Sequence, residues 1–303
     1  MSLPRPVVEN RSYMVTRRCA ERRFFLRPSR QVEQAFLFCL GVAAQRHRIV
    51  VYWVSVLSNH YHLGIRDVEG SYPEFLQFLH SLLARCLNAH LSRWENFWSS
   101  EQSGVLHLGD AEAVFDKMVY SLANPVKAQL VDSVAHWPGI NSLFHQLSDR
   151  PMTVKRPHWF FDKTGTMPET VQLRFARPPE FAELSQEEWA ERIRTAVVFE
   201  EDQAAEARRE NNGRVLGRKA ILRQSPFSCP RTATVRRRLR PRVASRSKWR
   251  RIELLRENRC FLHSYRSAYE RRRSGSVDVE FPYGTYQLRK LKLVCCQQGP
   301  PLQ

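Results

Sequence analysis

The run from Arg48 to Arg66 limits most strictly what this chain can become. Its first part, RIVVYWVSVL, is dense in β-branched and aromatic residues and reads as a buried strand. Ser58-Asn59 interrupts it, and His60 to Arg66 reads as a second strand or as a continuation past the break. On a strand, residues i and i+2 share a face, so His60 and His62 project together while Tyr61 faces the other way. A chain built around this run must bury it in a sheet.

The flanking sequence supplies the other elements. Arg11 to Arg18 alternates as a first strand, with Tyr13 and Val15 on one face. Ser29 is placed to cap a helix reaching Arg46, with apolar residues at helical spacing from Val32 to Ala43. Pro73 opens a second helix, expected over Glu74 to about Trp94. Trp94 to Leu108 is irregular, with a short strand around Gly104-Val105-Leu106. Asp110 caps a helix over Ala111 to Ala123, which Pro125 ends or bends at Asn124. This order predicts an α+β domain, an antiparallel sheet with helices packed on it, over residues 1–148.

Beyond it the texture changes. Residues 149–207 are punctuated by prolines and carry a net charge of −4, and Ser185 with Glu188 forms a capping box opening a helix to about Asn211. Residues 208–303 hold 25 basic and 6 acidic residues, so nearly all of the chain's net +18 sits in this last third. Ser247 to Arg273 reads as a basic helix within a largely helical C-terminal extension. Charge of this density calls for a polyanion, and nucleic acid, bound with strong salt dependence, is the expected partner. Arg17, Arg18, Arg236, Arg237, Arg238, Arg250 and Arg251 are candidate phosphate contacts. Met1 to Asn10 lacks the apolar run of a signal peptide, and no window approaches a membrane-spanning length. The seven scattered cysteines show no CxxC pair, which argues against a zinc site built on cysteine and for reduced thiols in a cytoplasmic protein, nucleoid-associated if its partner is DNA.

Two convergent imidazoles are half of a divalent-metal site. Tyr120 and Asn124 lie i, i+4 on the helix expected over Ala111–Ala123 and so share a face one turn apart, and Asn124 can offer an amide oxygen to a hard cation. A phenol is a weak nucleophile, so Tyr120 needs a metal that polarises a phosphate and eases its deprotonation. Tyr61 reads as core, and His80, His90 and His107 as ordinary surface or core histidines.

These segments, SYMVTRR, RIVVYWVSVLSNHYHLGI and MVYSLANPVKAQLV, resemble in order the single-tyrosine HUH transposases, particularly the REP-associated tyrosine transposase branch, over residues 11–147. The resemblance rests on Val15-Thr16-Arg17, Asn59-His60-Tyr61-His62, Tyr120 and Asn124-Pro125-Val126. It implies a ferredoxin-like, RRM-like nuclease core, with His60, His62 and Asn124 as ligands of Mg²⁺ or Mn²⁺ and Tyr120 as nucleophile. It further implies cleavage and rejoining of single-stranded or hairpin DNA through a covalent 5′-phosphotyrosine, by a monomer or homodimer. Leu57-Ser58 replaces the usual Met-Pro before Asn-His, and Trp94–Leu108 lacks the Arg/Gly-rich pattern of many relatives. The alternative is a domesticated, non-catalytic DNA-binding protein or regulator; an RNA-binding module ranks last, for want of an aromatic-rich strand of the RNP type.

Overall fold

The computed structural model describes residues 4–232 and 241–299. Strand β1 (Arg11–Arg18) leads through helix α1 (Arg30–Arg46) to strands β2 (Ile49–Leu57) and β3 (His60–Asp67). Helix α2 (Tyr72–His90), strand β4 (Gly104–Leu108) and helix α3 (Ala111–Leu122) complete the core. The order β2-β3-β1-β4, antiparallel at each of these contacts, is the split βαβ arrangement of ferredoxin-like folds. Ser58-Asn59 is therefore a hairpin turn. Caps fall where the sequence puts them: Ser29 Oγ accepts from Val32 N at the start of α1, and Asp110 Oδ1 from Ala113 N at the start of α3. The second helix stops at His90, four residues short of Trp94.

One sheet face carries Tyr13, Val15, Val54, Val56, Tyr61, Leu63 and Ile65 against α1 and α2. The other carries Met14, Tyr52 and Trp53 against Val114, Met118 and Leu122 of α3. A bulge between Val51 and Trp53 makes this division possible. The extra residue sends both Tyr52 and Trp53 to the α3 side, then restores alternation with Ser55 and Leu57 beside His62 and His60. Trp53 lies across Gly64, where an added Cβ would sit 2.3 Å from the indole ring. Gly64→Ala should therefore lower stability by about 1–3 kcal/mol through overpacking. Its thermal midpoint should fall by several degrees; an unchanged midpoint would show that the indole has room to move.

The segment after the core is woven into it. Helices α4 (Asn124–Lys127) and α5 (Leu143–Ser148) are followed by a hairpin of β5 (Met152–Lys155) and β6 (Thr170–Leu173), and then by helix α6 (Gln186–Glu210). Val154 and Val171 of the hairpin join the α1 side of the core. Trp189, Ile193 and Val197 of α6 share a cluster with Phe115 and Met118 of α3, so the division at residue 148 falls inside one hydrophobic core. The predicted capping box at Ser185 and Glu188 is formed.

The extension continues with α7 (Arg218–Arg223), β7 (Val243–Ala244) and the 26-residue α8 (Lys248–Arg273). Strands β8 (Glu280–Phe281) and β9 (Cys295–Cys296) pair in parallel, with α9 (Gln287–Lys290) between them. Strand β7 pairs in parallel with β4 and becomes the fifth strand of the sheet. Both outer strands of the core thus gain partners: β4 at His107 and Leu108 from β7, and β2 from residues 137–142, where Val56 N donates to Ile140 O and Ser142 N to Val54 O. Among the described residues, no helix is long and apolar enough to cross a membrane.

Candidate active site

Strand parity fixes the histidines. His62 pairs across β3 with Thr16 of β1 and Ser55 of β2, and His60 with Arg18 and Leu57, all on the α3 side of the sheet. Tyr61 points the other way and is fully buried, its hydroxyl 2.5 Å from His80 Nε2 and its ring edge-on to Phe36. The packing role expected of Tyr61 is what the structure shows.

The two imidazoles lie 5.0 Å apart between ring centroids, at right angles. The His62 ring is 5.8 Å from that of Tyr120, which is 38% exposed on α3. Each imidazole is oriented through Nδ1: His60 by Asn59 Oδ1 at 2.7 Å and His62 by Thr16 Oγ1 at 2.9 Å. With Nδ1 engaged, each Nε2 is left without a hydrogen bond among the described residues. Burial, helped by mutual repulsion and by the Arg18 guanidinium, pushes His60 down to about 3. Burial and Arg18 push His62 down to about 4. Both rings are therefore neutral at physiological pH, the state in which an imidazole nitrogen binds a cation.

Asn124 is buried at the start of α4, and its side chain makes no hydrogen bond among the described residues. Helix α3 ends at Leu122, so Tyr120 and Asn124 stand on either side of the α3–α4 junction rather than on one continuous helix. Asn141 Nδ2 donates to Leu122 O at 2.9 Å and fixes that junction, a role the sequence does not announce. Among the described residues, no three His, Cys, Asp or Glu side chains converge as a metal cluster. Two imidazoles whose Nδ1 atoms are already engaged could offer their Nε2 atoms to a divalent ion.

The arginines divide. Arg18 faces the histidines, and its side chain is exposed without a partner among the described residues. Arg17 lies on the opposite face, over Trp98 and donating to Glu101 O, so it does not join the site. In α8, Arg250 pairs with Glu253, whereas Arg251 is exposed and unpaired among the described residues. Arg236, Arg237 and Arg238 lie outside the described residues. Two lysines missed in the sequence approach Tyr120: Lys117 Nζ at 5.7 Å and Lys127 Nζ at 5.4 Å from the ring centroid.

No protein-family model matches the chain, and no curated protein matches it. Among solved structures the chain is similar to a REP-associated tyrosine transposase bound to a REP hairpin, at 14% identity and a TM-score of 0.42. That match covers 56% of this chain and 97% of the other. A candidate transposase from Deinococcus radiodurans is 21% identical, with a TM-score of 0.29, over 35% of this chain and 85% of that one.

Proposed function

We propose that this protein is a transposase-type DNA strand transferase, cleaving and rejoining single-stranded or hairpin DNA through Tyr120. The observation that carries this reading is the meeting of a partly exposed phenol with two Nδ1-oriented imidazoles on one face of the sheet. Tyr120 Oη forms a bond to phosphorus as the P–O3′ bond breaks; the phenol gives up its proton, and the departing 3′ oxygen takes one up. The product is a 5′-phosphotyrosine and a free 3′-hydroxyl, and attack by a 3′-hydroxyl in reverse rejoins the strand. Nothing is consumed, because one phosphodiester replaces another. His60, His62 and Asn124 would hold Mg²⁺ or Mn²⁺, which when bound polarises the phosphate. Arg18 supplies a fixed positive charge beside the histidines.

The test is a labelled hairpin oligonucleotide incubated with the full chain and Mn²⁺. A denaturant-resistant adduct mapping to the Tyr120 peptide supports the reading, and no adduct on any library of hairpins overturns it.

The extension would provide grip. Helix α8 buries only Leu254, Phe261 and Ala268, spaced seven apart, and exposes Arg251, Arg256, Arg259 and Arg266 without partners among the described residues. Changing all four to alanine should weaken hairpin binding and flatten its dependence on log salt by up to about 3–4, near 0.9 for each lost phosphate contact. Titrations over a salt series check this; an unaltered slope removes α8 from the DNA interface.

A further inference from the structure

Two cations reach Tyr120, and they are held differently. Lys117 lies one turn before Tyr120 in α3, and its ammonium has no ionic partner among the described residues. Lys127 ends α4, and its Nζ is 2.6 Å from Glu200 Oε2 of α6. The next residue, Glu201, accepts from Ser133 Oγ at 3.0 Å and Val134 N at 2.7 Å. Consecutive carboxylates of α6 therefore pin both Lys127 and the segment that follows it. Trp189, Ile193 and Val197 anchor α6 itself in the core with α3.

The Lys127–Glu200 pair is partly exposed, 36% and 26%, and pairs of that kind add little stability. What it changes is where the ammonium sits. A free lysine samples many rotamers, whereas Glu200 restrains this one beside the nucleophile. Attack of a phenolate on a phosphodiester brings two anions together, so fixed positive charge at that point lowers the barrier.

We infer that α6, outside the region of family resemblance, completes the active site: Glu200 is a positioning residue that holds Lys127 over Tyr120, and Lys127 and Lys117 together take the charge of the phosphate under attack. This rests on the strand-transferase reading. It gives the acidic segment a part in the reaction, since its −4 charge would otherwise oppose a nucleic acid.

The experiment is single-turnover adduct formation by the full chain on a saturating labelled hairpin with Mn²⁺, with hairpin Kd and thermal midpoint measured for every variant. Lys127→Ala and Lys117→Ala should each slow adduct formation about 10- to 100-fold with Kd within about threefold of wild type. Glu200→Gln should slow it about tenfold, and Glu200→Asp should recover most of the rate. In the double variant Glu200→Gln/Lys127→Ala, the rate should match that of Lys127→Ala alone, since Glu200 acts through the lysine. A merely structural Glu200 would lower the thermal midpoint and multiply its effect with that of Lys127→Ala. A wild type that reacts while Glu200→Gln reacts equally fast, or whose two effects multiply, overturns this inference alone. A wild type that forms no adduct overturns the strand-transferase reading and this inference with it.

Discussion

Tyr120→Phe should lose covalent adduct formation by at least about 10³-fold while still binding the hairpin with nearly wild-type affinity. The substitution removes one oxygen and leaves the ring, with its contacts to His62, Lys117 and Lys127, in place. The hydroxyl makes no hydrogen bond among the described residues and the ring is partly exposed, so no buried group loses a partner. The thermal midpoint should therefore hold. This separation of chemistry from binding and folding gives the variant its force. Denaturing gels of labelled hairpin read the adduct and titrations read the affinity. Equal adduct in wild type and variant would remove Tyr120 from the chemistry.

The second large effect is expected at the histidines. His62→Ala deletes an Nε2 donor together with the bond to Thr16, and cleavage should fall by about 10²–10³-fold across a Mn²⁺ titration. Because His62 is buried, the alanine also leaves a small void, so lost stability could imitate lost chemistry. Thr16→Val separates the two. It keeps the strand and the side-chain shape but removes the hydroxyl 2.9 Å from Nδ1. Losing such an orienting partner typically costs about 10–100-fold in metal affinity or activity, so a higher Mn²⁺ requirement is expected, with much of the rate restored at saturation. Wild-type cleavage by His62→Ala at every Mn²⁺ concentration would show that the imidazole is not a ligand. A metal requirement unchanged in Thr16→Val would leave the threonine a packing role alone.

Much of the core was legible because its signals are local. Alternation in β1, the β-branched density of β2 and the spacing in HYH each follow from period-two geometry, and the caps at Ser29, Asp110 and Ser185 from side-chain chemistry. The same parity separates Arg17 from Arg18, since neighbours on a strand face opposite ways; reading it would have excluded Arg17 from the site. Other features carry no local mark. Strand β7 is two residues long and joins the sheet through backbone bonds, His107 N to Arg242 O and Gly109 N to Ala244 O, which any sequence could make. The hairpin of β5 and β6 hides in a proline-rich acidic stretch because four-residue strands are too short for periodicity to register. The Glu200–Lys127 pair spans 73 positions, and only the packing of α6 on α3 brings it together.

The late arrival of β7 affects how the protein is made. The N-terminus of α3 is held by Asp110, whose carboxylate also accepts from Ser245 Oγ and Ser247 N, while Arg246 grips Asp116 nearly two turns further along. On a ribosome adding about 5–20 residues per second, β4 emerges roughly 7–27 s before its neighbour β7. During that interval the helix carrying Tyr120 lacks one of its braces, and a sheet edge is open to other chains. The clasp closes only when the Arg-rich extension is itself emerging, so that extension and a fully braced Tyr120 come into existence together.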